Sequence, residues 1–320
     1  MNTDQFLEVV RKDVEESGGS LHLPMERSVD LGDGVMCNGY WDEETKVLAA
    51  ARAQSEPKFL RLLVHEYGHF RQWKEKRKAY WISYTHPLTE ILDRTLEDIF
   101  FSWLNGEECN KELVKFTCDV ARDLELDCER VTIKLIKKYK LPIDIDEYCQ
   151  RAAAYTYFYN TLPETRKWYV IGREPYNNPD ILKLMPKNLD GDFTKTPPKV
   201  SAMMRNCIKP KLVYLESPFA GEVTRNIKYA RACMADSLRR GESPIASHLL
   251  YTQDGILDDT IPEERKRGME AGFNFAEKCE ASVFYTDLGM SSGMIDGIHR
   301  AKDCGREIEF RTLPNWGKAE

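Results

Sequence analysis

The stretch Leu62-Leu63-Val64-His65-Glu66-Tyr67-Gly68-His69-Phe70-Arg71-Gln72-Trp73 sets a His-Glu-x-x-His pattern inside an apolar run that reads as a buried helix, predicted over Leu60 to Lys76. Residues four apart on a helix lie one above the other, so His65 and His69 can aim two imidazoles at one Zn²⁺. Glu66 falls beside them, where it can take a proton from a water at the metal. Two histidines on such a helix are also compatible with hydrogen-bonded core residues, so the surrounding sequence has to discriminate.

Upstream, residues 39–51 read as two short strands around a polar turn. Downstream, Lys111 to Tyr139 reads as a long helix carrying Glu125-Leu126-Asp127-Cys128-Glu129-Arg130. Glu125 and Glu129 are again four apart and share a face. A catalytic zinc takes three protein ligands and keeps a position open for water, so a distant carboxylate is the expected complement to His65 and His69. A solvated, charged helix face paired with Lys134, Lys137 and Lys138 is the alternative for the two glutamates.

This combination resembles the gluzincin metallopeptidases, whose second helix carries a Glu-x-x-Ala-Asp pattern. The resemblance implies a zincin-like α+β domain that hydrolyses a peptide or protein substrate, with Glu66 catalytic and Glu125 the third metal ligand. It also implies that Glu129 supports a ligand histidine from outside the metal's own shell, in the place of the usual Asp. Because Glu129 replaces that Asp, it remains a candidate ligand.

The chain has 320 residues, more than one core usually serves, so two domains are expected. A formal charge of −6 offers no overall basic field for nucleic acid. The nine cysteines are odd in number and contain no Cys-x-x-Cys pair, which points to reduced thiols rather than a disulfide frame or a cysteine zinc site. The segment Met1 to Phe6 has no charged and apolar leader character, and no run approaches 18 apolar residues. A cytoplasmic location without membrane insertion is therefore expected.

Residues 1–170 read as helix-rich: a first helix ending at Gly18-Gly19, strands near 20–51, the His-Glu-x-x-His helix, a helix over Leu88 to Asn105, the Glu125 helix, and an aromatic helix from Asp146 to Trp168. Tyr155, Tyr157, Phe158 and Tyr159 in that last helix are readable as core packing or as the lining of a cleft. Residues 171–208, dense in Asn, Asp, Pro and Lys, read as a linker or an extended wrap.

From residue 209 to 320 the pattern is that of a small α/β unit. Strands are predicted at Lys211 to Leu215, Ile245 to Tyr251, Ala281 to Tyr285 and Glu307 to Phe310, with helices at Val223 to Arg240, Pro262 to Cys279 and Gly293 to Cys304. Such alternation predicts a Rossmann-like parallel sheet whose ligand lies beyond the carboxyl ends of the strands. The loops after Leu215, Ala246 and Tyr285 are then the candidate site.

Tyr214-Leu215-Glu216-Ser217-Pro218-Phe219, Ser247-His248-Leu249-Leu250-Tyr251, Pro262-Glu263-Glu264-Arg265 and Thr286-Asp287-Leu288-Gly289 with Ser292-Gly293-Met294 together look like the nucleoside 2-deoxyribosyltransferase-like families, which include uncharacterised phage and bacterial members. The similarity covers about residues 209 to 313. It implies a nucleoside or nucleotide pocket that includes Pro218, in which Ser217, Arg225 and Asn226 face a phosphate or sugar at a helix N-terminus. Tyr214, His248, Asp287, Ser292 and Gly293 complete that pocket. The families' reacting Glu, four residues beyond Gly293, is here Gly297, and Asp296 points about 100° away around the helix. The expectation is a nucleotide-binding or sensing module, with a deoxyribosyltransferase or N-glycosidase beside an accessory zinc site as the alternative, and a protein that turns over nothing as a third.

Overall fold

The computed structural model describes residues 1–31, 36–313 and 316, and divides the chain into two compact units. The first comprises Met1–Trp168 with Glu174–Asn206; the second comprises Tyr169–Arg173 and the chain from Cys207 onward. Both mix helices and strands, and the second is built on a four-stranded parallel sheet.

The first unit opens with α1 (Thr3–Glu16), whose Phe6, Leu7, Val10 and Val14 recur at helical spacing and are all buried. Among the described residues, five short strands follow: β1 (Ser20–His22), β2 (Val29–Asp30), β3 (Met36–Cys37), β4 (Gly39–Asp42) and β5 (Val47–Ala50). β5 lies between β1, to which it is parallel, and β4, to which it is antiparallel. The β4–β5 turn is tied by Asp42, which accepts from the backbone N–H of Glu44 at 2.8 Å.

α2 (Glu56–Lys74) starts one turn earlier than its apolar run suggests, with Pro57 in its first turn. It buries Phe59, Leu60, Leu63, Val64, Tyr67 and Phe70, each worth about 1.5–3 kcal/mol of transfer free energy. α3 (Lys78–Thr85) leads to α4 (Pro87–Leu92) and α5 (Leu96–Leu104), which correct the single helix expected over Leu88 to Asn105. Asp93 adopts φ 51°, and Thr95 with Asp98 forms a capping box that starts a new helix. α6 (Lys111–Tyr139) has the expected bounds, capped by Asn110 and ending at Lys140 with φ 49°.

α7 (Ile145–Phe158) is shorter than the helix expected through Trp168. It gives way to a 3₁₀ turn at Tyr159–Thr161 and to α8 (Leu162–Thr165), because Pro163 lacks an N–H and Arg166 turns left-handed. Tyr157, Phe158 and Tyr159 are buried, and the aromatic cluster is core. The polar stretch that follows lies largely on this unit through α9 (Pro179–Leu182) and α10 (Pro198–Cys207), burying Ile181, Met185, Leu189, Phe193, Val200 and Met204. Gln150 donates to the Leu182 carbonyl and Asn160 to the Phe193 carbonyl, which ties the stretch to α7 and the turn after it.

The second unit alternates β6 (Lys211–Glu216), α11 (Val223–Arg239), β7 (Glu242–Ile245), α12 (Ser247–Tyr251), α13 (Pro262–Ala276), β8 (Ala281–Tyr285), α14 (Ser292–Asp303) and β9 (Glu307–Arg311). The strand expected at Ile245 to Tyr251 is corrected: β7 ends at Ile245 and Ser247–Tyr251 is helical. An apolar run this short does not distinguish the two by periodicity. All neighbours are parallel in the order β7-β6-β8-β9. Pro244 fits the edge position of β7, where a missing N–H is tolerated. Val213, Leu215, Val283 and Tyr285 pack with Tyr229 and Cys233 of α11, while Phe284 on the opposite face packs with Met294 and Ile298 of α14. Among the described residues no helix is long and apolar enough to cross a membrane.

Candidate metal centre

α2 and α6 approach closely at Gly68, where a Cβ would lie 2.6 Å from Thr132 Oγ1 and 2.9 Å from Cys128 Sγ. That approach brings the His65–His69 face of α2 against the Glu125–Glu129 face of α6. Glu125 Oε2 stands 3.7 Å from His65 Nε2 and 3.7 Å from His69 Nε2. This oxygen is buried and has no hydrogen-bond partner, a costly state for a carboxylate unless a cation joins it.

The other nitrogen of each ring is already engaged. His65 Nδ1 faces Glu129 Oε1 at 3.3 Å, and the second oxygen of Glu129 accepts from the Tyr148 hydroxyl. His69 Nδ1 is 3.0 Å from Gln72 Oε1. Gln72 spends its amide protons on the Leu124 carbonyl at 3.0 Å and on Asp127 at 2.8 Å, so its oxygen must accept from His69. Asp127 is in turn clamped by Arg77. Once the added proton is displaced, both imidazoles therefore keep a proton on Nδ1 and have Nε2 directed toward Glu125, free to ligate.

Electrostatics follow from this packing. Burial works to lower the pKa of each imidazole, but Cys128 and Glu129 outweigh it at His65, and Cys128 and Glu125 at His69, leaving both well above the ordinary histidine range. Burial would raise the Glu125 carboxyl; His69 and His65 overcome it and hold it below its usual value. Glu66 is raised, chiefly by burial, with the two histidines opposing. Its side chain lies under β4, where a Cβ on Gly39 would come 2.8 Å from Glu66 Cγ.

A second grouping, His65, His69 and Cys128, also places one ligand atom from each within 4.8 Å of the others and is able to hold a metal ion. Cys128 Sγ, however, lies 3.9 Å from the His65 nitrogen that Glu129 occupies, and it donates to the His65 carbonyl at 3.4 Å. Glu125 Oε2, buried without a hydrogen-bond partner and 3.7 Å from both Nε2 atoms, is the competing third group. Sequence reasoning passed over Cys128, Gln72, Asp127 and Tyr148, since none stands at a motif position.

In the second unit the structure gathers some expected pocket residues and employs others internally. Ser217 Oγ and His248 Nε2 are 2.9 Å apart at the carboxyl ends of β6 and β7, and burial pushes the His248 imidazole down to about 4, so it is neutral. Pro218 is buried in the same loop. The Tyr214 hydroxyl pairs with Ser247. Asn226 donates to the carbonyls of Phe219 and Ala220 at 2.8 and 2.9 Å, shaping the loop it was expected to use for a phosphate. Arg225 is exposed and paired with Glu222. Asp287 accepts from the Tyr229 hydroxyl and the Leu313 N–H. Ser292 and Gly293 open α14, beside the Ser291 cap. A cavity of about 930 Å³ lies against Phe219, Gly221, residues 252–260 and Arg265.

Residues 211–311 match a family model described as a domain of unknown function, DUF7768. No curated protein and no solved structure matches the chain.

Proposed function

We propose that the first unit is a zinc-dependent peptidase and that the second binds a nucleoside or nucleotide. The observation that carries the first half is Glu125 Oε2, buried and without a partner, equidistant from two Nε2 atoms whose rings are oriented from behind. His65, His69 and Glu125 make a two-nitrogen, one-oxygen set suited to a catalytic zinc site with an open position. Zn²⁺ held there would supply Lewis acidity toward a peptide carbonyl and a water.

The remaining chemistry falls to side chains of this chain. Glu66, beside His65 and under β4, takes the proton of the attacking water and delivers it to the leaving amine. Its raised pKa suits a group that must hold that proton for part of the cycle. β4 is the edge of its sheet, so an extended peptide can add to it by main-chain hydrogen bonds and pass over Glu66. For the second unit, support comes from the cavity between the loop after β6 and residues 252–260, whose volume falls within the range of small-molecule sites, and from the Ser217–His248 pair.

The test combines metal analysis with cleavage of a peptide library. About one zinc per chain is expected. Glu66→Gln should keep the metal and lose cleavage by about 10²–10⁴-fold, the usual contribution of a general base. A protein purified with zinc in the medium that carries no metal would overturn the peptidase reading.

A further inference from the structure

β9 is an edge strand, yet the chain beyond it turns back over the carboxyl end of its neighbour β8. Thr286, the residue after β8, donates its N–H to the Arg311 carbonyl at 3.0 Å. The Leu313 N–H then reaches both carboxylate oxygens of Asp287, at 3.1 and 3.0 Å. Trp316, whose N–H donates to the Leu313 carbonyl at 3.1 Å, sets its indole on the Tyr229 ring of α11, with centroids 4.9 Å apart and the planes at 59°. Leu313 and Trp316 both pack on the core that α11 shares with β6 and β8.

This strap crosses the part of the sheet where a ligand is expected. From β6 the chain steps to β7 on one side and then to β8 and β9 on the other. In open parallel sheets the ligand crevice lies beyond the strand ends at such a reversal. Here it is bounded by α11, which follows β6, and by the loop after β8, which holds Asp287. Tyr229 and Asp287 are joined across it, the hydroxyl donating to the carboxylate and the Asp287 N–H donating to the phenol oxygen at 3.1 Å. That pair is complete without the strap, which adds a flat ring on Tyr229 and one N–H on Asp287. A heteroaromatic base offers the same two things, a face for stacking and an N–H for a carboxylate. Tyr229 has no exposed surface left beneath the strap, so strap and base exclude each other there.

We propose that Leu313 and Trp316 form a built-in competitor, which fills the base-binding part of the second unit's site and swings away when a nucleoside or nucleotide binds. The proposal rests on the reading of the second unit as nucleoside- or nucleotide-binding and adds its regulation. A ligand that needs the strap open binds with an affinity reduced by the fraction of molecules in which it is open. Weakening the strap therefore tightens binding, although it removes contacts from the folded chain.

The experiment titrates the natural chain and full-length Trp316→Ala and Trp316→Phe by calorimetry with the common nucleosides and their 5′-monophosphates. Hydrogen exchange at the Leu313 amide is followed in the natural chain with and without each probe. Expected are an affinity about 10-fold or more higher in Trp316→Ala, a near-natural affinity in Trp316→Phe, which keeps a ring on Tyr229, and faster Leu313 exchange with the probe bound. Faster exchange separates a displaced competitor from a segment that only completes the fold, since a ligand that merely stabilises the folded state slows exchange. Should Trp316→Ala unfold, the exchange measurement on the natural chain decides. A probe that binds Trp316→Ala no more tightly than the natural chain, or that slows Leu313 exchange, overturns the proposal and leaves nucleoside binding intact. Binding of no probe by any of the three chains overturns both.

Discussion

Glu125, Cys128 and Glu129 lie within little more than one turn of α6, and their different surroundings separate their roles. Glu125 offers an unpartnered oxygen to two Nε2 atoms, Glu129 is held between His65 Nδ1 and Tyr148, and Cys128 sits on Gly68. Loss of a ligand removes most of the metal affinity, whereas loss of an orienting carboxylate costs roughly 10–100-fold. Competition titrations with a zinc chelator should therefore rank Glu125→Gln as the most damaging of the three and Glu129→Gln as intermediate. Cys128→Ser should stay close to the natural chain. Zinc binding lost in Cys128→Ser and kept in Glu125→Gln would reassign the third ligand to the thiol. The sequence left Glu125 and Glu129 open because both share one face of a helix; which oxygen meets which nitrogen depends on the roll of that helix against α2.

At the scale of elements, the site depends on how closely α2 and α6 approach. A Cβ on Gly68 would overlap Thr132 Oγ1 and Cys128 Sγ, so Gly68→Ala must push the helices apart or displace both neighbours. Overpacking of this kind costs about 1–3 kcal/mol. The same shift also moves Glu125 away from the histidines. Chemical denaturation should show a loss in that range, and zinc affinity should fall even though no ligand or orienting side chain is changed. Unaltered affinity would mean that the ligands reach the metal independently of helix spacing. Gly68 carries no sign of this in sequence, since an isolated glycine in a helix only weakens it.

At the scale of the molecule, each unit has its own core, and only the first holds the histidine centre. A metal that binds the folded state alone stabilises by RT ln(1 + [L]/Kd), about 4.1 kcal/mol at a thousandfold excess over Kd. Calorimetric scans with and without EDTA should shift the melting of the first unit and leave that of the second in place. The pH dependence has a definite sign. In the metal-free chain His65 and His69 have raised pKa values, so the stability they contribute is complete below the unfolded value of about 6.5 and is lost as pH rises through the folded values. Zinc must expel those protons, so the EDTA-sensitive shift should grow with rising pH and shrink toward pH 6. A single transition that EDTA moves as a whole would show that the two units unfold together.

Periodicity and spacing were enough to place α1, α2, α6, the strands of residues 39–50 and the βα alternation after residue 209, because a continuous apolar stripe imposes its period on the backbone. They also placed His65, Glu66 and His69 on one helix and Glu125 with Glu129 on another, since local geometry alone aligns residues four apart. The break at Asp93 was legible only through the Thr95–Asp98 capping box, a signal weaker than the apolar run that spans it. Helix rather than strand at Ser247–Tyr251 was beyond periodicity, the segment being shorter than two turns. The chain of Arg77, Asp127, Gln72 and His69, the seat of Tyr148 on Glu129, and the seat of Trp316 on Tyr229 join residues from separate elements. Such pairings exist only once the apolar faces have packed and set the distance and roll of each element against the next.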